Sequence, residues 1–424
     1  MRFEFNKLPA CLLLALTMIP ALSQAQKVQP VASGNNYKLI AGPDTLTVGP
    51  AAAGRIRSLK YQGTELLLAS GTLNWGSTFW PSPQAYWTTA CKNTINNGCW
   101  PPPVNLDADA TNYTGGLVAS DTTVAYVGIA DNVATGTHLS FRKKFWANAK
   151  DSSFTNHYTM INTFTSSVAY APWEITRFPG GGLTFYPTGS DTLRGTQALR
   201  NMTRDTLGVR WTVYDSATVP AGGTPKIWGD GGTPGWYAHV DKNRVLFIKK
   251  FKDTPFAKNA PYNTSESECE LYMANAKNYQ EMELQGSFDT IPANDSSTWD
   301  VKWFARKLPD SVSIGRNSGL LNFVNQVISG SLTAIKISAA PSIGFDGSHS
   351  FASLTLEKET LISLSLVNLQ GREISRIYTG RLSAGQHRFS LNTEHLSSGV
   401  HWLVVRDLTN GQLLSQRMKV RLRN

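Results

Sequence analysis

Apolar residues in this chain recur at every second position in short runs, and helical spacing is hard to find. TLTVG, HYTMIN, RVLFIKKF, MELQGSF and WDVKWFARKL are such runs, with clusters of Gly, Asn, Asp and Pro between them. In extended backbone successive side chains point to opposite faces, so each run offers one apolar face that must be covered. Short strands joined by turn-forming residues cover one another most simply as antiparallel sheets stacked in a sandwich. The expected fold class is therefore all-β.

At 424 residues the chain exceeds one ordinary domain. Residues 26–309 carry the alternating runs. After KLPD the texture changes: residues 310–340 read as a weakly structured linker with one short helix at LLNFVNQVI. Residues 341–424 form a compact module, with strands at SLTLE, LISLSLVN, HRFSLN and HWLVVRD.

Residues 1–25 read as a secretory signal peptide. MRFEFNK is basic on balance, LPACLLLALTMIPAL is a short apolar run, and Ser23 and Ala25 stand at the small-residue positions before a cleavage site. No later apolar run is long enough to span a bilayer, so the expectation is a soluble, exported chain without a transmembrane segment. In an oxidising compartment Cys91 and Cys99, which flank KNTINNG, are expected to form a local disulfide. Cys269 reads as a buried thiol.

The formal charge is +10, from 40 Lys and Arg against 30 Asp and Glu. The basic residues are dispersed, so the charge speaks for solubility and not for a nucleic-acid partner. No G-x-S-x-G elbow, phosphate-cradling Gly-rich loop, H-E-x-x-H or paired C-x-x-C occurs. No cofactor and no metal site is expected. FPGGG and GDGG read as turn chemistry.

NWGSTFWPSPQAYW and the nearby CWPPP place Trp75, Trp80, Trp87 and Trp100 among five prolines. Proline removes a ladder donor, so the stretch reads as loop and not as ordinary core strand.

Several segments in order resemble the galactose mutarotase-like superfamily. They are AAAGRIRSLKYQGTELLL, the tryptophan-proline stretch, HYTMINTFTSSVAYAPWEITRF, GWYAHVDKNRVLFIKKF, ECELYMANAKNYQEMELQGSF and TWDVKWFARKL. The nearest likeness is to a bacterial branch described only as a domain of unknown function. The resemblance implies a large β-supersandwich that holds a carbohydrate on its concave face. Indole faces suit the C–H patches of sugar rings, and an amide suits their hydroxyls. Trp75, Trp80, Trp87 and Trp100 with Gln84 are then a sugar platform, or else a satellite core under a long loop.

The superfamily's mutarotases use a late glutamate as base, which the resemblance maps to Glu283, with Gln285 on the same face. Their acid is a histidine in an NH motif. TNHYTMIN looks like that motif, but the strand order puts the histidine's place near APWEITRF, where Trp173, Glu174 and Arg177 stand. Glu174 is a substitute acid raised by burial, or an ion-pair partner of Arg177. His239 is the other candidate acid. Lys249 and Glu270 match positions of the branch that hold hydroxyls or an acidic sugar. The function implied is carbohydrate binding, or alternatively epimerase, hydrolase or lyase chemistry by Glu283 with Glu174 or His239.

The final stretch resembles the C-terminal sorting domain of type IX secretion substrates, through NLQGREI, the LSAGQH turn, LSSGVHWLVV and a basic last strand. It implies a small immunoglobulin-like β-sandwich that addresses the chain to secretion machinery.

Overall fold

The computed structural model describes residues 27–71, 74–87, 112–130, 137–260, 266–274, 278–330, 337–346, 349–356, 359–368, 372–391, 399–408 and 413–422. Among these residues the chain is all-β, with one large sandwich followed by a smaller one, as the alternation requires. An 11-stranded and a 12-stranded sheet make up the large unit, and all their pairings are antiparallel. The 12-stranded sheet runs from Arg194–Gly195 through Lys226–Gly229, Cys269–Ala274, Tyr279–Gln285, Val168–Pro179 and Ser77–Ser82 to Ile56–Tyr61 and beyond. Trp236–Val240, Val245–Phe251, Ser296–Lys307 and Ser153–Asn162 are consecutive neighbours at the centre of the other.

The two sheets meet through one apolar core. Phe79 of the 12-stranded sheet stacks on Tyr158 of the 11-stranded one at 4.1 Å between ring centres, and Phe178 meets Phe247 at 5.1 Å. The far side of the 11-stranded sheet is covered by a helix, Ser318–Ser329, at the site of LLNFVNQVI. Asn317 caps it by accepting the Leu320 N–H at 2.9 Å, and Gly330 ends it at a φ of 68°. Leu320, Phe323, Val324 and Val327 follow the i, i+3, i+4, i+7 spacing and pack with Leu183, Ile248 and Phe304 of the sheet.

The tryptophan-proline stretch departs from its expected loop. Ser77–Ser82 is a fully buried strand. It pairs with Ala171–Thr176 along its length but with Ile56–Tyr61 only at Ile56↔Ser77, so past Ser77 its other edge carries no ladder. The missing N–H of Pro81 therefore removes no ladder bond on that edge.

The smaller sandwich packs a three-stranded sheet on a four-stranded one around Leu354, Leu356, Ile362, Leu364, Leu403 and Val405. Gly385, in the LSAGQH turn, takes a φ of 122°, which favours glycine. Cys91 and Cys99, Trp100, and the whole of residues 1–25 lie outside the described residues.

Candidate functional site

Directly paired residues of an antiparallel sheet share a face. On the face of the 12-stranded sheet turned away from the core, register therefore builds three rows. One is Trp80, Trp173 and Gln285. The next is Thr78, Ile175, Glu283, Glu270, Trp228 and Arg194. The third is Arg177, Glu281, Tyr272 and Lys226.

Lys226 is the hub. Its ammonium donates to Glu283 Oε2 at 2.7 Å and is ion-paired with Glu270. Nζ lies 5.0 Å from the centre of the Trp173 ring and 5.8 Å from that of Trp228, within cation–π range of both. Gln285 Nε2 donates to Glu266 Oε2 at 2.6 Å and to Glu270 Oε1 at 2.7 Å. The Ser267 N–H donates to Glu270 Oε1 at 2.9 Å, and the Gln84 N–H to Glu266 Oε1 at 3.3 Å.

Three carboxyls thus surround one ammonium, and all three are buried. Burial pushes Glu270 and Glu283 up to about 8 despite the pull of Lys226, and repulsion from Glu266 on Glu270, and from Glu270 and Glu281 on Glu283, adds to it. Glu266 is raised for the same first reason. Burial works against the Lys226 charge, but Glu270, Glu283 and Glu266 outweigh it and raise its pKa. With one ammonium to compensate them, the three carboxyls cannot all be ionised cheaply. The cluster therefore holds exchangeable protons near neutral pH.

Beside the cluster, Arg177 donates through Nε to Glu281 at 2.8 Å and through Nη1 to Thr78 Oγ1 at 3.1 Å, with its guanidinium 5.5 Å from the Trp80 ring centre. Trp80, Trp87, Trp173 and Ile175 pack together as a small core, with indole centres 5.5 to 6.2 Å apart. Trp80 and Trp87 are 3% and 0% exposed, so they do not form an open platform. Arg194, Lys226, Trp228 and Glu281 are the partly exposed members of the three rows.

The expected partners of Glu283 are elsewhere. Glu174 pairs across the ladder with Leu284 and so projects from the opposite face, into the space between the sheets. There it takes Lys249 Nζ at 3.0 Å, Tyr158 OH at 2.6 Å, Trp303 Nε1 at 3.0 Å and Asn156 Nδ2 at 3.2 Å. Neither Glu174 nor Lys249 has any exposed surface, and burial lowers the Lys249 pKa. The Glu174–Arg177 pair is not formed, because two residues of odd separation face opposite ways. Glu174 and Lys249 instead tie one sheet to the other.

His239 also lies between the sheets. Its Nδ1 is 2.9 Å from Thr184 Oγ1, its ring is 5.0 Å from Phe178, and burial drives its pKa down to about 3, so the imidazole is neutral. Neither Glu174 nor His239 therefore shares a face with Glu283. Of the residues singled out from sequence, Trp80, Gln84, Trp87, Trp173, Arg177, Glu270, Glu283 and Gln285 gather on or beside the outer face, while Glu174, His239 and Lys249 are interior.

Lys226, Trp228, Glu266 and Glu281 belong to the patch and escaped sequence reasoning. Their signal was the two-residue period itself: Lys226 and Trp228 in KIWG, Glu266 and Glu270 in ESECE, Glu281 and Glu283 in EMELQ. Among the described residues no group of three His, Cys, Asp or Glu is arranged to hold a metal ion.

No family model matches the chain, and no curated protein does. Among solved structures it is similar to a TPR-domain containing protein from Parabacteroides distasonis, at 10% identity and a TM-score of 0.43 over 64% of this chain and 46% of that one. The chain thus spans less than half of that protein. It is also similar to galactose mutarotase-like proteins from Clostridium acetobutylicum (11% identity, TM-score 0.42, 64% of this chain and 94% of that) and Lactobacillus casei (10%, 0.44, 64% and 99%). These likenesses transfer no residue role.

Proposed function

We propose that the large unit recognises a saccharide on the outer face of the 12-stranded sheet. The observation that supports this most is the arrangement around Lys226: two indoles and three buried carboxyls converge on one ammonium. Indoles offer surface to sugar C–H patches, and carboxyl, amide and ammonium groups exchange hydrogen bonds with hydroxyls. Trp228 is the partly exposed indole of the two, and Trp173 the buried one.

A second reading is favoured by the carboxyl pair itself. The Lys226 ammonium favours an ionised carboxyl beside it, while burial favours the protonated form of the other. That is the pairing an aldose epimerase requires. The ionised member takes the proton of the anomeric hydroxyl, the bond from the anomeric carbon to the ring oxygen breaks, and the protonated member delivers its proton to that oxygen. Closure from the other face reverses each transfer, so protons balance and no co-reactant is consumed.

The chain is further read as exported, on the N-terminal apolar run, with the small sandwich as a type IX sorting module that meets the secretion machinery. Among the described residues no helix is long and apolar enough to cross a membrane.

Screening the full chain against a glycan array, followed by calorimetry on each hit, tests recognition. A saccharide whose affinity drops at least ten-fold in Trp228→Ala is the expected result, and a chain that binds no glycan refutes the reading. For the second reading, Glu283→Gln should abolish anomer exchange, read by proton NMR, while binding stays within a few-fold. Exchange at the wild-type rate in that variant refutes the catalytic role.

A further inference from the structure

Where Ser296–Lys307 begins, a cavity of about 230 Å³ is lined from both sheets of the large unit. Pro172 lines it from the 12-stranded sheet, Ser297 and Trp299 from the 11-stranded one, and Lys252 and Asp253 from the segment after Val245–Phe251. Ser287 and Asp289 add to the polar lining. The cavity is reachable from solvent: Lys252 is exposed, and Asp253, Ser287, Asp289, Ser297 and Trp299 are partly exposed. It lies on the other side of the 12-stranded sheet from the Lys226 patch, since Pro172 and Trp173 are successive residues of one strand.

Size and chemistry narrow the occupant. A dry cavity of about 150 Å³ admits benzene, and drug-sized ligands fill about 300 Å³ or more. A volume between these suits one six-membered ring with its substituents. Trp299 pairs with Tyr158 and so turns toward the core, where Phe79 and Tyr158 stack with it at 6.5 and 6.1 Å between ring centres. The core thus holds this indole in place, and its partly exposed surface suits the C–H patch of a saturated ring. The Ser287 and Ser297 hydroxyls donate or accept, the two carboxylates accept and Lys252 donates, which is the mixed set that neighbouring ring hydroxyls need. Neither sign of ligand charge is favoured. Asp253 and Asp289 repel an anion, while Lys252 and Lys258 repel a cation; Lys258 is bonded to Asp289 at 2.8 Å and holds its pKa down.

We infer that this cavity is a second binding site, which takes one neutral cyclic polyol such as an unsubstituted hexose, with the ring against Trp299 and its hydroxyls met by Asp253, Asp289 and Ser297. The inference goes beyond saccharide recognition at the outer face and does not rest on it, so each site is addressed by its own variant.

The test is saturation-transfer NMR on the full chain at pH 7, followed by titration, with glucose, galactose, mannose and myo-inositol, and with galacturonate and glucosamine as charged counterparts. At least one neutral ring should bind, at least ten-fold tighter than either charged one. Ser297 pairs with the buried Met160 and so points inward. Ser297→Phe therefore fills the cavity from a partly exposed strand end and should abolish binding, while Trp228→Ala stays within two-fold of the parent. Asp253→Asn, which keeps the shape and loses the charge, should weaken binding several-fold and remains informative where Ser297→Phe does not fold. A neutral ring whose affinity falls in Trp228→Ala and not in Ser297→Phe or Asp253→Asn belongs to the outer face; that result overturns the inference and leaves the outer-face reading standing. Equal or tighter binding of a charged ring overturns the neutral assignment. Binding of no ring by the parent chain overturns the second site. Loss in Ser297→Phe, with no glycan affected by Trp228→Ala, supports the cavity and refutes the outer-face reading.

Discussion

Glu268→Gln is a direct probe of how this protein buries charge. Glu268 has no exposed surface; its Oε1 accepts the Thr254 N–H at 2.6 Å, and Oε2 has no hydrogen-bond partner. Oε2 lies against Gly231, where any side chain would collide with it, so GDGG makes room for a carboxyl as well as a turn. Burial pushes Glu268 from 4.5 up to about 8; the Thr254 hydrogen bond opposes this, and Asp253 and Asp230 add to it. A folded pKa above the unfolded one means that the folded state holds a proton which the unfolded state has released. The stabilisation is complete below pH 4.5, declines as pH rises through the window, and is gone above about 8. At about 1.4 kcal/mol per pKa unit the full window is worth on the order of 5 kcal/mol, of which about 4 falls between pH 5 and 9. Glutamine has nearly the same shape and does not titrate. Urea unfolding at pH 5, 7 and 9, followed by tryptophan fluorescence, reads the large unit, since Trp402 is the only tryptophan beyond residue 309. The stability of the variant relative to the parent should rise by roughly 4 kcal/mol over that range. Parallel pH profiles would falsify the reasoning, because a carboxyl that titrates normally is not confined as described.

Two further outcomes follow. Lys249→Met leaves the Glu174 carboxylate buried without its cation and should cost about 3 to 5 kcal/mol in urea unfolding, while glycan affinity stays within a few-fold; a loss of affinity without a loss of stability would place Lys249 in the binding site instead. Deleting residues 341–424 should leave a folded, glycan-binding large unit that is retained in the cell, as read by fractionation and immunoblot; normal export of the truncated chain sinks the sorting reading.

Alternation in runs such as MELQGSF and RVLFIKKF was enough to identify the strands and, within each strand, which residues share a face. The period of two is a property of the local backbone and needs no partner. The same local logic located the helix at LLNFVNQVI and put Glu283 with Gln285. It could already have separated Glu174 from Arg177 within one strand, since an odd separation sends the two to opposite faces. Local pattern does not tell which face meets which sheet. Register between strands far apart in sequence brought Lys226 to Glu270, Glu283 and Trp173, and turned Glu174 and Lys249 toward each other across the sandwich. Those pairings are long-range, and a shift of one residue in any of them would invert the face presented. The proline-rich stretch shows the same division. Its composition spoke for a loop, and only its place beside Ala171–Thr176, with little ladder on its other edge, made Ser77–Ser82 a buried strand. Sequence by itself determined an all-β chain and, within a strand, which residues share a face; the pairing of the strands decided which of those faces turns outward and which is core.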